Sequence, residues 1–244
     1  MGGAPGAGKS TAAWLLAHRH DLRLYPVDAR AYAHAARSRG PTMLRLNSLE
    51  PGERFGKAPD VLAQQFLDYS REQFELVLED LAADPASPPV VAEGPQLLPD
   101  LTGPQSVFLL PTPEFQRSGL FRRQPGRRSQ VVERDALLAG AIREQAAQHG
   151  RNVVEVDGSL GPDAVVARLE ELFVPVLDAP RPVPDLPAMR RHENELIAEN
   201  LLAAGITTYP FACECGRSGC AERVELPAPG LADRGRIVAP AHAV

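Results

Sequence analysis

The feature that most constrains this chain is a glycine-rich segment at its start, followed directly by a helix-forming run at residues 11–19. The segment, GGAPGAGKST, matches the spacing G-x-x-x-x-G-K-[ST]. In that pattern the backbone amides and the lysine bind nucleotide phosphates, and the hydroxyl binds Mg²⁺. The predicted binding residues are Gly3, Gly6, Ala7, Gly8, Lys9, Ser10 and Thr11. The segment therefore predicts a protein that binds ATP and Mg²⁺.

The lysine content of the chain supports this interpretation. Lys9 and Lys57 are its two lysines among 26 basic residues, so a basic position taken at random would be an arginine. Phosphate binding in such a loop requires the compact ammonium of lysine, which arginine does not replace. The alternative, a glycine-rich tail, does not account for the helix-forming run that follows.

The strand that should precede the loop is short of residues. Such a loop joins a buried parallel strand to a helix, and the strand needs about four to six apolar residues. Met1 alone precedes Gly2. A sheet without its first strand would leave backbone groups of the two neighbouring strands unpaired. We therefore expect the true start to lie upstream, with Gly2 and Gly3 emerging from solvent or from an unfilled slot between strands at 89–92 and 107–110. The alternative is a sheet built without that strand.

Length, charge and proline content suggest how the chain is organised. Its 244 residues suit a large α/β domain with a small module, and the net charge of −5 argues against bulk nucleic-acid binding. No apolar run has transmembrane length and no signal-peptide pattern is present, so we expect a cytoplasmic protein without a membrane partner. A proline-rich linker is predicted at 177–187, between a domain at 1–176 and a module at 188–244.

Strand and helix patterns alternate before this linker, which predicts a parallel sheet covered by helices on both faces. Strands are expected at 22–27, 89–92, 107–110 and 153–156, and helices at 60–83, 129–149 and 162–174. The predicted fold is a P-loop NTPase of the α/β class with its first strand missing, followed by a small α+β module.

Two carboxylates follow predicted strands, where ligands of such sheets bind. Asp28 follows the strand at 22–27 and could accept the proton of an acceptor hydroxyl, or hold the acceptor by hydrogen bonds. The alternative is that Asp28 caps the next helix. Glu93 ends an apolar strand and could orient Mg²⁺ or its waters, the alternative being a surface carboxylate.

An arginine-rich segment follows the third predicted strand. Five guanidinium groups at residues 117–128 could neutralise a triphosphate and a transferring phosphoryl group, as a kinase lid does. The candidates are Arg117, Arg122 and Arg123 for catalysis, and Arg127 together with Arg134 of the next helix for nucleotide binding. A solvated basic face or an RNA-contacting loop is the alternative.

These segments carry a family resemblance. GGAPGAGKST, YPVD at 25–28, VVAEGPQLLPDL at 90–101, FLLPTPEFQR at 108–117, ERD at 133–135 and VVEVDGS at 153–159 resemble the small-molecule and nucleotide kinase branch of P-loop proteins. Within that branch the chain is similar to actinobacterial kinase-like ATP-binding proteins related to chloramphenicol phosphotransferase, zeta toxins and 2-phosphoglycerate kinase. The resemblance covers residues 2 to about 175. It implies that Asp28 is the acceptor-side acid, Glu93 the strand-end acid and 117–128 the lid. Ala29 stands where a second acid often follows.

The three cysteines of the chain, Cys213, Cys215 and Cys220, lie together near its C-terminus. In a cytosolic protein, clustered cysteines bind metal or perform redox chemistry more often than they form disulfides. Tetrahedral zinc needs a fourth ligand, for which His242 and His192 are the candidates. The segment resembles a small Cys-rich module common in actinobacterial proteins, and this resemblance selects His242, although Ala241 replaces a usual glycine. Reduced thiols without metal are the alternative.

The sequence therefore predicts an ATP- and Mg²⁺-dependent phosphotransferase with a structural zinc site, acting on a small hydroxyl- or phosphate-bearing acceptor. The alternative is a nucleotide-binding regulator that hydrolyses ATP slowly and binds a protein or nucleic acid through its zinc module. An acceptor pocket at Asp28 separates the two, because a kinase needs one and a regulator does not. The acceptor, the nucleotide base and the oligomeric state do not follow from the sequence.

Overall fold

The computed structural model describes residues 1–83, 88–117, 129–231 and 233–243. Helices and strands are interspersed up to residue 177, and the strands of this part pair in parallel, so the predicted mixed α/β class is confirmed. The strands are β1 (Gly2–Gly3), β2 (Arg23–Pro26), β3 (Val90–Glu93), β4 (Val107–Pro111) and β5 (Asn152–Val156). The helices are α1 (Lys9–Arg19), α2 (Ala31–Arg37), α3 (Pro41–Asn47), α4 (Pro51–Phe55), α5 (Pro59–Ala83), α6 (Ser129–Gln148) and α7 (Pro162–Leu177).

The strands and long helices lie close to their predicted positions, whereas α2, α3 and α4 were not predicted. These three helices have 7, 7 and 5 residues, so none presents enough turns for a helical period to show in the sequence. Prolines begin α3 and α4, where a missing N–H costs little. Together they form a connection between β2 and α5.

The first strand, which the sequence predicts to be missing, is present as a strand of two residues. Gly2 and Gly3 pair with Phe108 and Leu109 of β4, and β4 pairs with β5. On the other side, the Met1 amino group donates to the Ala92 carbonyl at 2.6 Å, and β3 pairs with β2. Met1–Gly3 therefore lies between β3 and β4, and the strand order across the structure is β2-β3-β1-β4-β5.

A cavity lies beside this short strand. Its volume is about 660 Å³, and it is lined by Met1, by β3 and β4 residues such as Val91 and Val107, and by apolar side chains of α5 and α7. Within the described residues, β3 and β4 are not paired with each other.

Strand β4 forms the centre of the hydrophobic core. Its five residues are all buried and alternate between two faces. Leu109 packs with apolar residues of α1 and α7, whereas Phe108 and Leu110 pack with Ile142 of α6. Helices thus cover both faces of the strand, as the continuous apolar run VFLL predicts.

The C-terminal part contains helix α8 (Leu186–Ala203) and an antiparallel hairpin of β6 (Thr208–Ala212) and β7 (Arg223–Pro227). Residues 178–185, between α7 and α8, have neither helix nor strand. Two buried residues of α8 bind the backbone next to β2: Arg190 donates to the Leu22 carbonyl at 2.9 Å, and Glu193 accepts from the Leu24 amide at 2.8 Å. The C-terminal part therefore packs against the α/β part.

No helix in the described ranges is long and apolar enough to cross a bilayer.

Candidate functional site

The glycine-rich loop connects β1 to α1, as its motif predicts. Gly3, Gly6 and Gly8 have positive φ angles of 124°, 86° and 78°. At Gly3 a Cβ atom would lie 2.1 Å from the Leu109 carbonyl oxygen, so any side chain there would collide with β4. Glycine is therefore required where the loop leaves the sheet.

Lys9 is the first residue of α1, and its side chain is buried at 7% exposure. Its Nζ donates to the Ala4 carbonyl at 2.9 Å. Burial lowers the pKa of Lys9, while the carboxylates of Glu93, Asp28 and Asp135 act in the opposite direction. The ammonium thus lies at the N-terminus of a helix, in a site with several carboxylates.

Ser10 and Glu93 meet at the end of β3. The Ser10 Oγ donates to Glu93 Oε2 at 3.3 Å. Glu93 is 4% exposed, and burial raises its pKa while Lys9 lowers it. The structure therefore places Glu93 beside the loop instead of on the surface.

Asp28 lies in a 3-10 turn, Val27–Arg30, directly after β2. Its Oδ1 accepts a hydrogen bond from Gln96 Nε2 at 2.7 Å. The next helix, α2, has Arg30 as its N-cap residue and no side-chain cap. Asp28 is therefore not the cap of that helix, and its exposed carboxylate faces the site.

Ser10, Asp28 and Glu93 line a cleft of about 230 Å³. Ser10, Thr11, Asp28 and Glu93 come from the ends of β2 and β3 and from the start of α1. Further lining residues come from the C-terminal part: Ile197, Asn200, Leu201, Tyr209 and Arg223. The cleft is therefore walled by both parts of the chain.

A second cavity of about 150 Å³ adjoins Gln96, the hydrogen-bond partner of Asp28. Arg54 and Arg134 line it together with the rings of Phe55, Phe66 and Tyr69 and with further side chains of α3 and α5. The amide oxygens of Gln73 and Gln96 are buried there and have no hydrogen-bond partner among the described residues. This cavity combines two guanidinium groups, flat apolar surfaces and acceptors for hydroxyl or amine groups.

The predicted arginine lid falls largely outside the described residues, which exclude Arg122, Arg123 and Arg127. Arg117 is helical, as are the four residues before it, and its side chain is 65% exposed and lies 3.6 Å from Glu114. Arg134 does not line the 230 Å³ cleft; it lines the 150 Å³ cavity, and its Nε donates to Asp135 at 2.9 Å.

The predicted convergence of the three cysteines with His242 is confirmed. One ligand atom from each of Cys213, Cys215, Cys220 and His242 lies within 4.8 Å of the others. The His242 Nδ1 is 3.5 Å from Cys213 Sγ and 3.6 Å from Cys220 Sγ. A tetrahedral Zn²⁺ with ordinary Zn–S and Zn–N bonds separates S and N ligands by about 3.6 Å. The four side chains are therefore positioned to hold a metal, and their spacing is consistent with zinc.

Backbone groups support the sulfur atoms. Cys213 Sγ accepts from the Ala239 amide at 3.2 Å, and Cys215 Sγ accepts from the Arg217 amide at 3.5 Å. Partial burial acts to raise the pKa of Cys215, but the Arg217 amide and the other thiols hold it below its ordinary value. Burial and the neighbouring thiols raise the pKa of Cys220 to about 12. His192, the other candidate ligand, is exposed on α8 and outside the cluster.

The sequence patterns do not predict several residues of the site. Gln96 and Arg54 look like ordinary surface residues, and no local pattern indicates that they meet near Asp28. Tyr209 and Arg223 alternate with apolar residues in strand-forming runs, which predicts strands but not a cleft. Trp14 is the single tryptophan of the chain, and this rarity was the one available signal.

Comparisons of the chain with protein families, with curated proteins and with solved structures find no match. The interpretation of the site therefore depends on its own geometry.

Proposed function

We propose that this chain is an ATP- and Mg²⁺-dependent phosphotransferase of the P-loop kinase type, acting on a small hydroxyl- or phosphate-bearing acceptor. One observation carries the proposal: Ser10, Glu93 and Asp28 line one cleft beyond the carboxyl ends of parallel strands. The buried Lys9 lies next to Ser10 at the same helix N-terminus. A strand, a loop of this spacing and a helix are the parts of a phosphate-binding loop. The strand ends of an open parallel sheet are where its ligands bind.

The residues present fit a nucleotide triphosphate and Mg²⁺. The first turn of α1 has amide groups without intrahelical partners, and the helix dipole favours negative charge there. The buried Lys9 ammonium donates to a neutral carbonyl, so a phosphate oxygen would be a stronger partner. Ser10 and Glu93 would hold Mg²⁺, which in such sites neutralises charge on the β- and γ-phosphates.

Asp28 would hold and deprotonate the acceptor. Its carboxylate oxygen takes the proton of the acceptor hydroxyl, whose oxygen bonds to the γ-phosphorus. The bond from that phosphorus to its bridging oxygen breaks, and ADP leaves with the electron pair. Gln96 orients Asp28 through the 2.7 Å hydrogen bond.

The 150 Å³ cavity beside Gln96 supports an acceptor of this chemistry. Arg54 and Arg134 suit a phosphate or carboxylate of the acceptor. The unpaired amide oxygens of Gln73 and Gln96 suit its hydroxyl or amine groups, because buried acceptors without partners are costly. A pocket of this volume accommodates a ligand fragment about the size of a benzene ring.

A screen of small metabolites for ADP release tests this proposal. The protein is incubated with Mg²⁺ and ATP, and ADP release is followed as single hydroxylated or phosphorylated compounds are added. An acceptor that raises ADP release and itself gains a phosphoryl group, seen by mass spectrometry, would support the kinase. Slow ADP release that no compound stimulates would favour the regulator instead, and absence of ATP binding would overturn both.

We further propose that the cation held by Cys213, Cys215, Cys220 and His242 is a structural Zn²⁺. All four positions of a tetrahedral site are filled by side chains, which is typical of structural rather than catalytic zinc. The hairpin and α8 share a small core around Phe211, Ile197 and Leu201. A metal would therefore contribute a large part of the stability of this segment.

A further inference from the structure

The 230 Å³ cleft lies between the proposed phosphate site and the C-terminal hairpin. Ser10, Asp28 and Glu93 form one wall, and Tyr209 and Arg223 of the C-terminal hairpin form the other. The two walls are far apart in the sequence and come together because α8 and the hairpin pack against α1 and β2. The positively charged side chain of Arg223 thus lies across a small cleft from Ser10 and Glu93, the proposed magnesium ligands.

Arg223 is held in this position by Trp14. Its guanidinium carbon lies 3.9 Å from the centre of the Trp14 ring, and Trp14 is 4% exposed. In the described part of the chain, no carboxylate lies within 4 Å of the Arg223 guanidinium. Arginine stacks on aromatic faces while its N–H groups remain available for bidentate bonds to phosphate. Its hydrogen-bonding capacity is therefore open to a ligand.

Arg223 lies three positions after the proposed metal ligand Cys220, and the backbone carbonyls of Cys220 and Ala221 both contact side chains of α1. The Trp14 indole N–H donates to the Ala221 carbonyl at 3.2 Å, and the His18 ring is 3.3 Å from the Cys220 carbonyl. The Trp14 and His18 rings are themselves stacked at 3.7 Å. Helix α1 and the cysteine cluster therefore both contact the Cys220–Arg223 segment.

We infer that Arg223 is a phosphate-binding residue that the metal-binding part of the chain contributes to the nucleotide cleft. Its guanidinium contacts the terminal phosphate of the ATP bound at Lys9 and Ser10, and the metal cluster holds the Cys220–Arg223 segment in the required position. This inference rests on the proposed function. It gives the C-terminal part a direct role in nucleotide recognition beyond its own stability.

Arg223→Ala tests the contact with phosphate. Titration calorimetry with Mg²⁺ should show ATP affinity falling about tenfold or more, because a charge-assisted bond to phosphate is lost. AMP lacks the terminal phosphate, so its affinity should change less than about twofold. Arg223→Lys keeps the charge, so its ATP affinity should lie between that of the original protein and that of Arg223→Ala. Arg236→Ala, an exposed arginine of the same part, is the matched control and should bind ATP like the unchanged protein.

Cys220→Ser tests the role of the metal cluster. It should lower both zinc content and ATP affinity, and adding Arg223→Ala should weaken ATP binding little further, since the two changes act on one segment. The zinc content of Arg223→Ala, measured by elemental analysis, should stay at its original value. Unchanged ATP affinity in Arg223→Ala, or equal losses for ATP and AMP, would overturn the inference while leaving the proposed function intact. Absence of ATP binding by the protein without any substitution would overturn the proposed function and this inference together.

Discussion

The α/β part and the C-terminal part of this chain place polar chemistry by different means. In the α/β part, the five buried residues of β4 and helices on both faces build a large apolar core, and polar side chains lie at the strand ends. In the C-terminal part, seven buried apolar residues form the core of α8 and the hairpin, and four ligand atoms converge beside them.

The difference shows how core size decides what a site needs. A large core can bury the charge of Lys9 and the carboxylate of Glu93, because the surrounding packing supplies the stability. We expect a segment with a small core to need a metal to hold three thiolates together, since thiolates repel one another and a small core contributes little free energy of folding. Four experiments test this contrast between the site around Lys9, which is supported by core packing, and the proposed metal site in the C-terminal part.

Removal of the metal should unfold the C-terminal hairpin and leave the α/β part folded. We expect about one zinc per chain, lost in His242→Ala and after treatment with a chelator. Amide hydrogen exchange at β6 and β7 should then accelerate about a hundredfold or more, while β4 and α5 stay protected. His192→Ala, at the other candidate histidine, should keep the zinc. A metal-free protein with a fully protected hairpin would contradict the proposed structural role of the metal.

Lys9→Ala should lower ATP affinity by about a hundredfold or more, without lowering the melting temperature. The buried ammonium has a desolvation cost, and its lowered pKa shows that burial outweighs the nearby carboxylates, so its removal should not destabilise the fold. Calorimetry and thermal unfolding measure the two effects. Lys57→Ala, at the other lysine of the chain, serves as the control. Unchanged nucleotide affinity in Lys9→Ala would show that the loop is not a phosphate site.

Asp28→Asn should reduce acceptor phosphorylation by about a hundredfold while ATP affinity stays within about threefold, as expected when a general base is lost. Turnover is measured with an acceptor from the screen, and ATP affinity by calorimetry. Asp157→Asn changes an exposed aspartate directly after β5 and should leave both values unaltered. Full turnover in Asp28→Asn would remove the general base from the mechanism and favour the regulator.

Asp80→Asn should destabilise the α/β part by about 2 kcal/mol at neutral pH. Burial acts to raise the pKa of Asp80, but hydrogen bonds from Tyr25, Arg37 and His34 lower it to about 2, against an ordinary value of 3.8. A depressed pKa stabilises the fold above pH 4, and this contribution is lost as the pH falls from about 4 through 2. Urea unfolding followed by circular dichroism should therefore show the difference shrinking over that range.

The same experiment sharpens the contrast between the two parts when it is repeated with chelator. The effect of Asp80→Asn should persist, because Tyr25, His34 and Arg37, which hydrogen-bond to Asp80, all belong to the α/β part. Glu79→Gln, at the adjacent and 53% exposed residue, should change the free energy of unfolding by less than about 0.5 kcal/mol. A destabilisation by Asp80→Asn that disappears on metal removal would show that the two parts unfold together.

Sequence patterns alone predict the structural features that depend on a few neighbouring residues. The spacing of glycines and Lys9 predicts the loop between β1 and α1, and apolar runs predict β4 and the long helix α5 close to their observed bounds. Cysteine spacing predicts the cluster, and the resemblance to a Cys-rich module selects His242 over His192. These predictions succeed because backbone geometry, periodicity and ligand spacing are local properties.

Contacts between distant segments depended on the tertiary structure. Trp14 and Ala221 are 207 residues apart, and their hydrogen bond depends on how α8 docks against α1 and β2. The pairing of Gln96 with Asp28, and the approach of Arg223 to the cleft, likewise depend on packing between elements. A sequence pattern shows which face of an element is apolar, but the partner of that face is selected by the combined burial and hydrogen bonding of the whole fold.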